Sequence, residues 1–104
     1  MKSIVQWNSR LGTDPEDNVE ATESLLQAFS GWTPPESVTI SEFVARVDGR
    51  GGLIIMETDD AAAIDLLVAQ YAPWFDYDVH PVLDVADGAA QAAAGVAWAR
   101  AALG

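Results

Sequence analysis

The stretch Phe43 to Asp60, FVARVDGRGGLIIMETDD, narrows the possible folds more than any other part of the chain. An alternating apolar run ends at Val47, and Asp48-Gly49-Arg50-Gly51-Gly52 follows with residues that tolerate positive φ. The β-rich run Leu53-Ile54-Ile55-Met56 then resumes. Asp and Gly at such a reversal predict a β-hairpin. Thr58 or Asp59 is placed to cap a helix directly afterwards. A hairpin of this kind constrains an architecture and leaves the chemistry open.

The flanking segments complete the pattern. Residues 3 to 8 form a first strand. Asp14-Pro15-Glu16-Asp17 is a helix start: Asp14 caps, Pro15 suits the first helical position, and the acids favour the positive end of the helix dipole. Val19, Thr22, Leu25, Leu26, Phe29 and Trp32 recur at spacings of three and four as one apolar stripe. Pro34-Pro35 forbids continuation. Residues 38 to 47 alternate as a second strand and 53 to 58 make a third. A helix to about residue 72 carries the stripe Ala61, Ile64, Leu67, Val68 and Tyr71. Residues 75 to 84 are a fourth strand, in which Pro81 indicates an edge or a bulge. Residues 86 to 103 are alanine-rich and strongly helical by propensity.

The order β-α-β-β-α-β-α contains the split βαβ pattern of ferredoxin-like folds. The expected fold class is therefore α+β: one ferredoxin-like βαββαβ domain over residues 1 to 104, with a C-terminal helix. Short connections place both main helices on one sheet face. The strands are not cleanly two-faced, since Ile4 and Val5 adjoin and Leu53 to Met56 is apolar throughout. A sheet with one solvated face alternates more strictly. Either the C-terminal helix crosses the second face or a second copy packs on it. Val96 and Leu103 on one side of that helix and Trp98 on another suit a helix touching both its own domain and a partner.

Bulk properties exclude several functions. The net charge is −11, with only Lys2, Arg10, Arg46, Arg50 and Arg100 as cations, so no basic patch for nucleic acid or an anionic membrane can be assembled. There is no cysteine, which removes disulfides, thiolate nucleophiles and cysteine metal sites. Neither a signal peptide nor a membrane span is readable, and a cytoplasmic protein is expected. A chain this short buries a modest fraction of its surface alone, so a homodimer is a natural supplement.

The segments V-Q-W-N near the start, FVARVDGRGG, the E-T-D-D exit and F-D-Y-D-V-H-P-V-L-D resemble a small, mostly actinobacterial family, domain of unknown function 3303, of the dimeric α/β-barrel superfamily. The similarity runs from Lys2 to about Leu103. It implies a ferredoxin-like protomer whose sheet packs on that of a second copy, with a cavity between sheets and helices, and it implies no assigned activity. The wider superfamily includes cofactor-independent monooxygenases, lactone isomerases, polyketide cyclases, haem-degrading enzymes and ligand-sensing domains.

Strand periodicity suggests where chemistry could sit. If the helices cover Val5, Trp7, Phe43, Ala45, Val47, Ile54 and Met56, then Gln6, Asn8, Glu42, Val44, Arg46, Ile55 and Glu57 face the other way. His80 and Val82 join them from the fourth strand. Asn8, Glu42, Arg46, Glu57 and His80 amid apolar walls have the make-up of a small-molecule pocket. His80 is the only histidine. Paired with Glu57 it is the candidate acid–base group, against the plainer alternative of a surface or inter-subunit histidine. Glu42 and Arg46 are candidate ligand contacts or an ion pair. Trp32 and Trp74, beside prolines, are candidates for a pocket mouth. One histidine without cysteine shows no metal-ligand spacing, and no cofactor is expected. The leading reading is a small dimeric barrel holding an uncharged or cationic organic molecule, with cofactor-free acid–base or oxygen chemistry at His80. The alternative is a non-catalytic binding or interaction module.

Overall fold

Seven elements follow in the order β1 (Lys2–Ser9), α1 (Pro15–Ser30), β2 (Thr39–Ala45), β3 (Gly51–Glu57), α2 (Ala61–Tyr71), β4 (Phe75–Val82) and α3 (Val85–Leu103). They are taken from a computed structural model describing residues 1–104. The four strands form one antiparallel sheet in the order β2-β3-β1-β4. This is the ferredoxin-like α+β arrangement with a C-terminal helix.

Local chemistry sets the helix starts. The Asp14 carboxylate accepts from the Glu16 N–H at 2.9 Å, with Pro15 opening α1. At α2 the cap is Asp60, which accepts from the Ala62 N–H at 3.1 Å. The expected caps have other work. Thr58 accepts from the Asp60 N–H at 3.0 Å, and Asp59 holds the N-terminal ammonium at 3.1 Å.

The hairpin loop lies two residues earlier than its sequence suggests, at residues 46–50. β2 runs from Thr39 to Ala45, so Val38, Arg46 and Val47 lie outside it, and Ser41 is bulged between Ile40 and Glu42. Gly49 takes the positive φ, at 73°. The Arg46 N–H closes the loop on the Gly51 carbonyl at 2.7 Å. Gly51 and Gly52 are therefore not turn residues. They are buried members of β3, paired with Asn8 and Trp7 of β1. The indole of Trp7 lies where a Gly52 side chain would project: a Cβ there would stand 2.3 Å from Cζ2.

One sheet face is packed and the other is open. Ser3, Val5, Ile54 and Met56 turn toward the helices and are buried, and Ile64, Leu67 and Tyr71 of α2 close over them. Residues 4, 6 and 8 of β1 and 53, 55 and 57 of β3 turn the other way. β4 is an edge strand, consistent with its Pro81.

Two helices depart from expectation. The α1 stripe faces the sheet without sealing against it: no α1 residue is buried, and Val19 and Leu26 remain 56% and 61% exposed. α3 buries none of its residues, and all but Gly88 and Ala99 are exposed. It leaves through Leu83 and an extended Asp84, whose carboxylate meets Lys2 Nζ at 2.6 Å. β4 and α3 laid end to end account for roughly 55 Å of the 64 Å long axis.

Candidate functional site

The gap under α1 is a chamber of about 540 Å³. Every element but α3 contributes to its wall. Trp7 comes from β1; Leu25, Leu26 and Phe29 from α1, with Trp32 just beyond; Phe43 and Ala45 from β2; Ile54 from β3; Leu67 and Tyr71 from α2; Phe75 and Tyr77 from β4. All twelve are hydrophobic. The floor is the helix-facing side of the sheet, because strand alternation sends Trp7, Ile54, Phe43 and Tyr77 to that side.

Aromatic packing holds the chamber open. Trp7 meets Phe43 edge to face at 5.7 Å and 85°, and Phe43 meets Phe29 at 5.9 Å and 82°. Phe29 and Trp32 stack at 5.9 Å. Edge-to-face rings brace one another at their preferred separation and do not collapse into the space beside them. Phe29 and Phe43 are each over 40% exposed, so the chamber opens to solvent between α1 and β2.

The only polar groups carried by these lining side chains are the Trp7 and Trp32 indole N–H groups and the hydroxyls of Tyr71 and Tyr77. Burial and then the nearby Tyr71 phenol push the Tyr77 hydroxyl up to about 12, and burial raises Tyr71 as well. Both phenols therefore stay protonated through the physiological range and are available as neutral hydrogen-bond donors.

The residues singled out for their chemistry stand elsewhere, on the open face. Asn8, Glu42, Glu57 and His80 do share that face, as the period of two requires. Pairing registers set Glu42, Ile55, Ile4 and His80 in one row across the sheet. His80 and Glu42 stand at opposite edges and are exposed, with Ile4 and Ile55 between them. Glu57 is in the next row, across from Lys2. It raises the Lys2 pKa, after the larger effects of the Asp84 hydrogen bond and charge.

Within one protomer His80 and Glu57 are separated by β1 and by one pleat, roughly 12 Å between Cα atoms, and no hydrogen bond joins them. Asp78 is the nearer carboxylate on the His80 strand face. Arg46 has left the strand and pairs with Asp48, two residues on, instead of Glu42. Trp32 lines both the chamber and a smaller cleft against Pro34 and Pro35. Trp74 packs on the core beside Tyr71, at 6.1 Å, outside the chamber wall.

Trp32, expected at a pocket mouth, does line the chamber; its other residues were absent from the sequence-based candidates because nothing charged marks them. Their signal was aromatic density: Phe29, Trp32, Phe43, Phe75 and Tyr77 occur on the predicted inner faces, more bulk than a small core can interlock. No helix of the chain is long and apolar enough to cross a membrane. Comparison with curated proteins gives no match. A family model does match, over residues 1–96, from β1 past the midpoint of α3, and the chain belongs to that family, the domain of unknown function DUF3303.

Proposed function

We propose that this protein is a homodimeric small-molecule-binding protein whose chamber takes an uncharged, flat, largely aromatic or fused-ring compound. The observation that carries the reading is a chamber of about 540 Å³ walled by hydrophobic side chains and open on one side. Its volume lies within the usual range for small-ligand sites, about 300–1,000 Å³. A cation finds no carboxylate on the wall, so the uncharged class is favoured over the cationic one. The Tyr71 and Tyr77 hydroxyls offer neutral donors to a ligand oxygen.

The open sheet face supports the dimer. Ile4, Leu53 and Ile55 on the two central strands, with Val44 beside them on β2, form an apolar patch interrupted by Gln6, with Glu42, Asp78 and His80 toward the rims. An apolar centre with a polar rim is the anatomy of a protein interface.

The test is a titration with the uncharged probe N-phenyl-1-naphthylamine, followed at the four indole N–H signals in proton–nitrogen NMR spectra. Binding in the chamber shifts the Trp7 and Trp32 signals and leaves that of Trp98 in place. Ala45→Phe, which fills the chamber from β2, weakens binding at least about tenfold, or 1.4 kcal/mol. Equal affinity in that variant, or no shift at Trp7 and Trp32, ends this reading.

A second reading is favoured by the shared face of Asn8, Glu42, Glu57 and His80: cofactor-free acid–base, oxygenase, isomerase or cyclase-type chemistry with His80 and Glu57 as its pair. The separation of these two within a protomer makes it depend on a second copy to complete the pair. A His80 ring signal that moves with the probe, together with lost binding in His80→Gln, supports it. An unmoved signal and unchanged binding leave the chamber reading alone.

A further inference from the structure

We infer that α3 is a docking arm, seated in the working molecule on a second copy of this chain; the inference rests on the homodimer proposed above and assigns α3 a place in it. Nineteen consecutive helical residues, apolar on most sides, extend from the sheet, and none of them is buried against their own chain. A helix that is apolar nearly all round is ordinarily buried. Here Val85, Trp98 and Leu103 are 89%, 72% and 89% exposed.

The face that would dock is visible in the spacing. Gly88, Ala92, Gly95 and Ala99 follow one another by four, three and four residues and form one shallow groove along the helix. Val85, Val96 and Leu103 stand along one side of the groove, and Gln91 and Trp98 along the other. Glycine weakens a helix interior relative to alanine. Nothing in the lone chain accounts for glycine here: a Cβ at Gly88 or Gly95 would meet no atom within 4 Å. Close approach of another backbone accounts for both, because a groove floored only by glycine and alanine, with no Cβ at Gly88 and Gly95, lets a second element lie close against the helix.

The surface area argues for a partner and for its size. A folded monomer of 11.1 kDa is expected to expose about 5,700 Å². This chain exposes 7431 Å². The excess, roughly 1,800 Å², is more than twice the ~800 Å² that each partner gives to a standard interface. The radius of gyration agrees: 18.4 Å, against about 13 Å for a compact chain of this length.

The partner is a second copy because the chain presents the complementary surface itself. Its open sheet face carries the apolar patch Ile4, Leu53, Ile55 and Val44, with Gln6 the one polar residue among them, and its own α3 buries no residue there. Only Leu83 and Asp84 join β4 to α3, Asp84 is extended, and its bond to Lys2 directs the helix away from the sheet. The other surfaces that accept apolar helices fit less well. A net charge of −11 opposes an anionic membrane, and no basic residues cluster beside α3, whose own Asp87 and Arg100 cancel.

The experiment compares the full chain with the double variant Gly88→Ala, Gly95→Ala by sedimentation equilibrium across the micromolar range, with helix content read by circular dichroism. The variant keeps its helix, since alanine favours one. The expected result is a dimer for the parent chain and, for the variant, a dissociation constant raised at least about tenfold, with Trp98→Ala acting in the same direction. A parent dimer that neither substitution weakens overturns the arm and leaves the dimer standing. A parent chain that stays monomeric overturns both. A monomer that co-sediments with phosphatidylcholine vesicles overturns both as well, and gives α3 to a lipid surface.

Discussion

Gly52 has no room for a side chain. A Cβ there would lie 2.3 Å from the Trp7 ring and 2.3 Å from the Val44 carbonyl, and at Gly51 it would lie 2.0 Å from the Trp7 carbonyl. Neither backbone can retreat without breaking the β1–β3 or β2–β3 ladder. Gly52→Ala is therefore expected to cost at least about 2 kcal/mol, read as a lowered urea midpoint, with changed Trp7 emission. Tyr77 makes a second test at this scale. Its hydroxyl is raised from 10.0 to about 12, so the folded state binds the proton more tightly than the unfolded state does. The corresponding stability is full below pH 10 and is lost as pH rises toward about 12. Thermal melts of the parent chain should fall across that window, and Tyr77→Phe should flatten the fall while Tyr71 keeps a share of it. Both residues show where sequence reading stops. Gly51 and Gly52 read as turn residues because Asp-Gly-Arg-Gly-Gly has the composition of a reversal, and only the close approach of Trp7, its carbonyl at Gly51 and its indole at Gly52, shows why β3 needs them. Tyr77 reads as a strand residue and is one, but its phenol is set by burial and then by Tyr71 on another element, which no single segment shows.

The two long connections of the sheet are helices of unequal attachment. α2 buries Ile64, Leu67 and Tyr71 in the core, whereas α1 buries none of its residues. Both begin at an aspartate cap, so the same substitution separates their roles. Asp60→Ala is expected to lower global stability by about 1 kcal/mol, the usual worth of such a cap, as a shift of the urea transition. Asp14→Ala should loosen α1 locally: amide exchange in Pro15–Ser30 speeds up while the global transition moves much less. Equal global losses would mean that α1 is part of the core after all. The α1 start, the stripes and the strand faces are legible because each follows from spacing along a single segment, whereas the α2 cap falls at Asp60, beyond the expected Thr58 or Asp59. Periodicity says which side of α1 turns inward and nothing about how far it stands from the sheet. That distance is set by Trp7, Phe29 and Phe43 braced against one another, and it makes the chamber. The pocket had been expected on the other face because polar residues advertise chemistry and aromatic ones read as core.

A molecule that exposes this much apolar surface and carries a charge of −11 is under two opposed forces when it meets its own copy. Apolar burial at the open sheet face and α3 draws the copies together. The excess of sixteen carboxylates over five cations pushes them apart. α3 itself is almost free of this conflict, with Asp87 and Arg100 as its charges, while Glu42, Asp76 and Asp78 stand toward the edges of the open face. The repulsion is long-ranged and screened by salt; at about 0.15 M the Debye length is ~8 Å. The apolar contribution does not depend on charge and is not weakened by salt. Association should therefore tighten several-fold when sodium chloride is raised from low to physiological strength, as measured by sedimentation equilibrium at constant pH. An interface held by ion pairs between copies would show the reverse, weakening with salt. That outcome would move the contact away from Ile4, Leu53, Ile55 and the α3 groove and onto the charged rims, where His80, Glu42 and Asp78 would then have to be the residues that bind.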